Sequence, residues 1–99
     1  MASPSAILTA LADPTRLGAI RALWDGREHC VCELMEQLGA SQSRMSRHMA
    51  QLKRAGLVTD RRDAQWVRYR RNTALARPLA RIVDAVLASL AGSDDRSAA

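Results

Sequence analysis

The chain has 99 residues, of which 47% are hydrophobic and 25% are charged, which is typical of one small globular domain. It contains no Phe and only 3% aromatic residues, and its 15 basic and 10 acidic side chains leave a net charge of +5. This composition favours packed helices over a β-sandwich, and the absence of a membrane-length apolar run or a basic N-terminal leader argues against membrane and secreted proteins.

Two helices are predicted at the start of the chain. The apolar residues of the first, at helical spacing, are Ile7, Leu8 and Leu11. Asp13 can cap a second helix, in which Pro14 takes the first helical position. This second helix is expected to run to about Trp24 and to end at Asp25-Gly26.

Two further helices follow at close spacing. The third is predicted over residues 31–38, with Gly39 at its C-terminal end. Ser41 then caps a fourth helix over residues 42–55, and Gly56 ends it. The inward face of the fourth helix is expected to hold Met45, Met49 and Leu52. Its outward face is polar and basic.

A β-hairpin and a long helix are predicted for the remainder. Alternation over residues 66–70 indicates a strand, which pairs with one starting near residue 57 across a turn at residues 63–65. The last helix is predicted over residues 73–91. Residues 1–5 are expected to be flexible and residues 92–99 to be a disordered tail, which leaves residues 6–91 as the folded domain.

Positive charge is concentrated in the fourth helix and the hairpin. Residues 41–72 carry nine basic and two acidic side chains, a net charge of +7, against −2 for residues 1–40 and 0 for residues 73–99. Taken by itself, the fourth helix could be an amphipathic surface helix with a solvated charged face. The preceding short helix, the tight turn at Gly39-Ala40 and the basic hairpin together predict a winged helix–turn–helix that binds DNA.

The candidate DNA-binding residues follow from this arrangement, because a helix fits the major groove and a basic hairpin can contact the flanking backbone. On the fourth helix they are Ser41, Gln42, Ser43, Arg44, Ser46, Arg47 and His48, and on the hairpin Arg61, Arg62, Arg68 and Arg70.

A homodimer is expected, because such modules bind two half-sites about one helical turn apart. The apolar stripe of the last helix is too wide for one small domain to cover alone, although it could also complete the monomer core. The candidate interface residues of the first and last helices are Leu8, Leu11, Leu79, Ile82, Val83, Val86, Leu87 and Leu90.

Three segments resemble one family in order along the chain. They are "LADPTRLGAIRAL" from Leu11, "LMEQLGASQSRMSRHMAQLKRAGL" from Leu34 and "GLVTDRRDAQWVRYRRN" from Gly56. They resemble the ArsR/SmtB (arsenical repressor) family of bacterial metal-sensing transcription factors, over roughly residues 6–90. The resemblance implies a homodimeric winged-helix repressor that leaves its operator when an inducer binds. The wing departs from the family pattern at Ala64, where glycine is common.

The candidate sensing site is the pair Cys30 and Cys32, within "HCVCE" at the start of the third helix. A Cys-x-Cys pair alone is a weak metal signal, but the resembling family uses this motif as a thiolate sensor. The expected inducer is arsenite or antimonite, with no organic cofactor. Two free thiols are expected in a reducing cytoplasm. In a regular helix they would point about 200° apart, so binding one ion would require the turn to unwind.

Departures from the family pattern narrow the choice of inducer. Met35 stands where a third cysteine is common, and residues 1–29 contain no cysteine for a four-thiolate cadmium site. Only Asp84 is near the place of the family's zinc site, and His29 and His48 lie elsewhere. Another soft ion, a redox or persulfide switch at the two cysteines, or a constitutive architectural DNA-binding protein are the alternatives. No catalytic constellation indicates an enzyme.

Overall fold

The computed structural model describes the backbone of residues 2–98 and the side chains of residues 2–90. Over this range the elements are α1 (Pro4–Leu11), α2 (Pro14–Leu23), β1 (His29–Cys30), α3 (Val31–Leu38), α4 (Gln42–Arg54), β2 (Val58–Asp63), β3 (Trp66–Arg71) and α5 (Arg77–Ala98). α3 and α4 form the helix–turn–helix. Strands β2 and β3 with the loop between them are called the wing. The winged helix–turn–helix expected from the sequence is confirmed.

The first two helices begin at side-chain caps. Ser3 Oγ accepts a hydrogen bond from the Ala6 N–H at 3.2 Å, so α1 begins at Pro4, earlier than the predicted domain boundary at residue 6. Asp13 Oδ2 accepts one from the Arg16 N–H at 3.0 Å. The predicted cap of α2 at Asp13 is confirmed.

The turn between α3 and α4 follows from two local signals. Gly39 ends α3 with φ of 64°, a left-handed conformation that glycine adopts without steric cost. Ser41 Oγ then accepts a hydrogen bond from the Arg44 N–H at 3.3 Å and begins α4. The predicted starts of both helices are confirmed.

The sheet has three strands rather than the two predicted. β2 and β3 pair from Val58↔Arg71 to Asp63↔Trp66 around a two-residue loop. β1 pairs with β3 through His29↔Tyr69 and Cys30↔Arg68, which makes the strand order β1-β3-β2. The segment just before α3 is therefore hydrogen-bonded to the wing.

The last helix begins later than predicted because of Pro78. A helix that started at residue 73 would place this proline in its interior, where it lacks an N–H and clashes with the preceding turn. Residues 72–76 form turns instead, in which Asn72 Oδ1 accepts a hydrogen bond from the Ala74 N–H at 3.0 Å. α5 also continues to Ala98, past the predicted end at residue 91 and through most of the predicted disordered tail. Ala99 lies outside the described residues.

The core is formed by apolar side chains from all five helices and from the segment that starts the wing. The largest fully buried ones are Ile7, Ile20, Leu23, Val31, Leu34, Met45, Met49, Leu52, Leu57 and Val83. Burial of each such side chain contributes about 1.5–3 kcal/mol. The burial of Met45, Met49 and Leu52 confirms the predicted inward face of α4. The opposite face of α4 therefore points towards solvent.

Candidate DNA interface and thiol site

The outer face of α4 is exposed along its first two turns. Ser41, Gln42, Ser43, Arg44, Ser46 and Arg47 are all exposed to solvent. Arg44 and Arg47 form no ion pair or side-chain hydrogen bond with any other described residue. Polar donors on an unobstructed helix are what contact with base edges requires.

His48 differs from the other predicted residues of α4. Its side chain is only 19% exposed, and its Nδ1 lies 3.9 Å from Asp13 Oδ2 at the start of α2. The pKa of the Asp13 carboxyl is lowered, first by the hydrogen bond from the Arg16 backbone N–H and further by the charges of His48 and Arg16. His48 therefore faces the junction of α2 and α4 more than it faces solvent.

Two of the predicted wing arginines are bonded to carboxylates. Arg61 forms a two-bond pair with Glu28, with Nε and Nη2 at 2.7 and 2.9 Å from the carboxylate oxygens. Arg68 Nε donates to Asp63 Oδ2 at 2.7 Å. These hydrogen bonds lower the pKa of the Glu28 and Asp63 carboxyl groups. Arg62 is exposed, and Arg70 makes one long hydrogen bond, 3.4 Å, to the Gly26 carbonyl.

The base of the wing is held by a tryptophan that the sequence did not single out. The Arg71 guanidinium lies 3.8 Å from the centroid of the Trp24 ring, a cation–π arrangement. The Trp24 indole N–H donates to Asp84 Oδ1 at 2.8 Å. Trp24 thus connects α2, the wing and α5. The sequence feature that could have indicated this role is an aromatic residue at the predicted end of the second helix.

The two cysteines are adjacent in space, and this overturns the geometry predicted for them. Cys30 is the N-cap of α3, with φ of −67° and ψ of 145°, so it is extended rather than helical. Its side chain therefore does not point about 200° away from that of Cys32. The structure records a bond between their sulfur atoms, with the Cα atoms 5.2 Å apart. The prediction of two free thiols is wrong for this structure.

The same sulfur caps α3. The Cys32 N–H donates to Cys30 Sγ at 3.3 Å, and the Cys30 N–H donates to Glu33 Oε1 at 3.3 Å. This is a capping box in which a sulfur atom replaces the usual hydroxyl oxygen. Because Cys30 also pairs with Arg68 of β3, its sulfur lies where the helix–turn–helix meets the wing. Cys30 is 5% exposed and Cys32 is half-buried.

His29 lies between two carboxylates: its Nε2 is hydrogen-bonded to Asp25, whereas its buried Nδ1 has no hydrogen-bond partner among the described residues. Its Nε2 is 3.0 Å from Asp25 Oδ2 and its Nδ1 is 3.4 Å from Glu33 Oε2. The pKa of the Asp25 carboxyl is lowered, first by the hydrogen bond from the Arg27 N–H and then by His29. Met35 packs against the core. Within the described residues no group of three or more His, Cys, Asp or Glu side chains is placed to hold a metal ion.

The candidate interface residues divide into two sets. Leu8 is 51% exposed, and partial exposure is shared by Leu79, Ile82, Val86, Leu87 and Leu90. Leu11 and Val83 are already buried in the monomer, at 6% and 0% exposure, so little of their surface is left for a partner. None of the helices in the described range is long and apolar enough to cross a membrane.

The sequence matches the family model described as "Bacterial regulatory protein, arsR family" over residues 13–60. It is 41% identical over 81 residues to the arsenical resistance operon repressor of Escherichia coli, and the match covers 82% of this chain and 69% of that protein. It is 45% identical over 75 residues to an arsenic resistance transcriptional regulator of Pseudomonas putida, covering 76% of this chain and 65% of that protein.

The fold is similar to the solution structure of the homodimeric winged helix–turn–helix domain of Mb0332 from Mycobacterium bovis. The TM-score is 0.72 at 25% identity, with 93% of this chain and 82% of that chain covered. Because the family and these relatives are transcriptional regulators, the prediction that the chain is not an enzyme is confirmed.

Proposed function

We propose that this chain, which belongs to the ArsR family of bacterial regulatory proteins, is a homodimeric repressor that arsenite or antimonite releases from operator DNA. The observation that carries the proposal is that the Cys30 sulfur, a candidate inducer ligand, is also the cap of the first helix of the helix–turn–helix. Ligand binding and the position of α4 would then depend on one atom.

The DNA contact proposed for α4 rests on its exposed and unpaired face. Its first two turns would lie in the major groove, with Gln42, Arg44 and Arg47 able to reach base edges. Ser41, Ser43 and Ser46 would contribute shorter contacts, whereas His48 faces the junction of α2 and α4. The wing would contact flanking backbone through Arg62 and Arg70, and through Arg61 and Arg68 once they exchange their carboxylate partners for phosphates.

The proposed dimer uses α1 and α5. Partly exposed apolar side chains form a stripe on α5, and α1, which contacts α5, carries the exposed Leu8. The similar domain of Mb0332 is described as homodimeric. A twofold dimer would place two copies of α4 on successive major-groove faces, as a pair of half-sites requires.

Inducer binding requires the reduced cysteine pair, which a cellular thiol would supply by thiol–disulfide exchange. Two thiols then displace two hydroxyl groups of arsenous acid. Two As–S bonds form, two As–O bonds break, and the thiol protons leave with the hydroxyls as water. The third hydroxyl stays on arsenic, which suits a site where Met35 supplies only a weak thioether donor.

The consequence for DNA binding follows from the cap. The cap forms while the Cys30 sulfur is bonded directly to that of Cys32. An arsenic atom between the two sulfur atoms would move Cys30 Sγ away from the Cys32 N–H, so the first turn of α3 would lose its cap, and the pairing of β1 with β3 would be disturbed. Loss of an N-cap costs about 1 kcal/mol. This is comparable with the coupling free energy of about 1–3 kcal/mol that separates bound and released states in allosteric proteins.

The recorded bond between Cys30 and Cys32 favours a second candidate function. In it, oxidation of the pair, or formation of a persulfide between its sulfur atoms, takes the place of the ion. Both candidates use the same sulfur atoms at the start of α3, and the reagent that releases the DNA distinguishes them.

The test is a titration of the purified protein, reduced with a phosphine, on the DNA upstream of its own gene at a stated salt concentration. Arsenite and antimonite are expected to release the DNA, and cadmium, zinc and peroxide are compared in parallel. Cys32→Ser should bind DNA and resist release, whereas Met35→Leu, which conserves volume, should respond normally. Release by peroxide alone would favour the redox candidate, and normal release of Cys32→Ser by arsenite would exclude the thiol site.

A further inference from the structure

A groove of about 280 Å³ lies between α2 and α4 and is lined by Arg16, Arg44, Arg47, His48 and Gln51. Three of these side chains are permanently cationic and a fourth becomes cationic on protonation. None of the lining residues is acidic, and the carboxylate of Asp13 lies 3.9 Å from His48 Nδ1. A concave surface with this lining is complementary to an anion.

Arg16 is held in the groove by neutral groups. Its Nε donates to the Ala10 carbonyl at 2.7 Å and its Nη2 donates to the Thr9 carbonyl at 3.3 Å. These carbonyls belong to the C-terminal end of α1, which favours a cation. Unlike Arg61, which is paired with Glu28, Arg16 is therefore positioned without losing its net charge to a carboxylate.

We propose that this groove binds a phosphate of the DNA backbone and that Arg16 supplies one of its contacts. The inference rests on the proposed function, since it requires α4 to dock on a duplex. With α4 in a major groove, backbone phosphates flank the helix, and the groove lies along that flank. The remaining N–H groups of a guanidinium match the oxygen atoms of a phosphate.

Arg16 lies outside the basic segment 41–72, so charge distribution along the sequence did not indicate it. Its contact would also fix α1, which carries the exposed Leu8, with respect to the DNA. A phosphate contact does not depend on the base sequence. Its loss should therefore weaken binding to operator and to non-operator DNA by the same factor.

The experiment compares Arg16→Gln with Arg81→Gln, which removes an exposed arginine from the face of α5 opposite its apolar stripe. Affinity for operator and non-operator duplexes is measured from 0.05 to 0.3 M salt. Each lost phosphate contact reduces the slope of log affinity against log salt by about 0.9 and the affinity about fourfold at 0.2 M salt. A homodimer loses one contact per protomer, so the slope should fall by about 1.8. Arg16→Gln should show both changes on both duplexes, and Arg81→Gln neither.

An unchanged slope for a folded Arg16→Gln would overturn the proposal, as would a loss confined to the operator. If the parent protein does not bind DNA at all, the proposed function fails instead, and the two failures are thereby distinguished.

A second pair of variants covers the case in which Arg16→Gln does not fold, since Arg16 also binds the end of α1. Gln51→Glu places a carboxylate in the groove, and Gln37→Glu places one on the exposed face of α3. Gln51→Glu should weaken non-operator binding several-fold more than Gln37→Glu. Equal effects of the two substitutions would overturn the proposal.

Discussion

Two arginines of α4 and two arginines of the wing differ in what they are bonded to. Arg44 and Arg47 have no partner among the described residues, whereas Arg61 and Arg68 are paired with Glu28 and Asp63. The difference has a physical consequence. An unpaired arginine can bind DNA at the cost of its own immobilisation alone, but a paired one must first give up a charge-assisted hydrogen bond. Positive charge along the sequence therefore overstates what the wing can contribute.

The largest expected effect is on α4. Arg47→Ala should lower operator affinity by about 1–3 kcal/mol, tenfold or more, because a base or phosphate contact is lost with nothing to replace it. The melting temperature should not change, since the side chain bonds to no described residue. Fluorescence anisotropy on operator DNA measures the affinity, and thermal unfolding measures the melting temperature. If Arg47→Ala binds operator DNA as tightly as Arg81→Ala, the claim that the unpaired arginines of α4 contact the DNA is contradicted.

The next effect concerns the tip of the wing. Ala64 has φ of 56°, a conformation that costs a non-glycine residue about 1–2 kcal/mol. Part of this is offset by the greater chain entropy of glycine, so Ala64→Gly should stabilise the protein by up to about 1 kcal/mol. Gln65→Gly is the matched control, because Gln65 has no positive φ. Equal melting temperatures for Ala64→Gly and the parent would show that the turn is not strained.

A smaller effect follows from releasing Arg61. Glu28→Gln weakens the pair with Arg61, and one additional phosphate contact per protomer raises non-specific affinity by up to about fourfold for each protomer at 0.2 M salt. Glu36→Gln removes an exposed carboxylate from α3 and serves as the control. If both variants bind non-specific DNA equally well, the pairing seen at Glu28 does not restrain the wing.

The smallest effect is a difference in acid sensitivity. The pKa of Glu28 is lowered from 4.5 and that of Asp63 from 3.8 by their arginine partners. Stability from a carboxyl with a lowered pKa is present above its unfolded pKa and is lost as pH falls through the folded pKa. Hydrogen exchange in the wing should therefore accelerate below about pH 4, while the first turn of α4, capped by Ser41, stays protected. Equal acceleration of exchange in the wing and in the first turn of α4 would contradict the assignment of this acid sensitivity to the Glu28 and Asp63 pairs.

Local signals account for what the sequence predicted well. The capping residues Asp13 and Ser41 and the left-handed Gly39 each act within four residues, so the starts of α2 and α4 and the end of α3 could be predicted directly. Pro78 is a local signal of the same kind, because it excludes a helix that begins at residue 73, and α5 begins at Arg77. The end of α5 could not be read, because no proline interrupts the chain after residue 78.

Contacts between distant segments explain the features of the fold and of the site that the sequence did not predict. β1 has two residues and is a strand only because β3, about forty positions later, pairs with it. That pairing and the cap make Cys30 extended, which is why the helical geometry predicted for the two sulfur atoms was wrong. The partner of Arg61 lies 33 positions away, and no periodicity indicates such a pair.

The most direct test of the central claim is hydrogen exchange at the first turn of α3 in the reduced protein, with and without arsenite. Weakening of the Cys30 cap by arsenic predicts faster exchange of the Cys32 amide at the arsenite concentrations that release the DNA, with exchange in Cys32→Ser unaffected. Release of the DNA while the Cys32 amide keeps its protection would contradict the claim that the cap of α3 links the thiols to DNA binding.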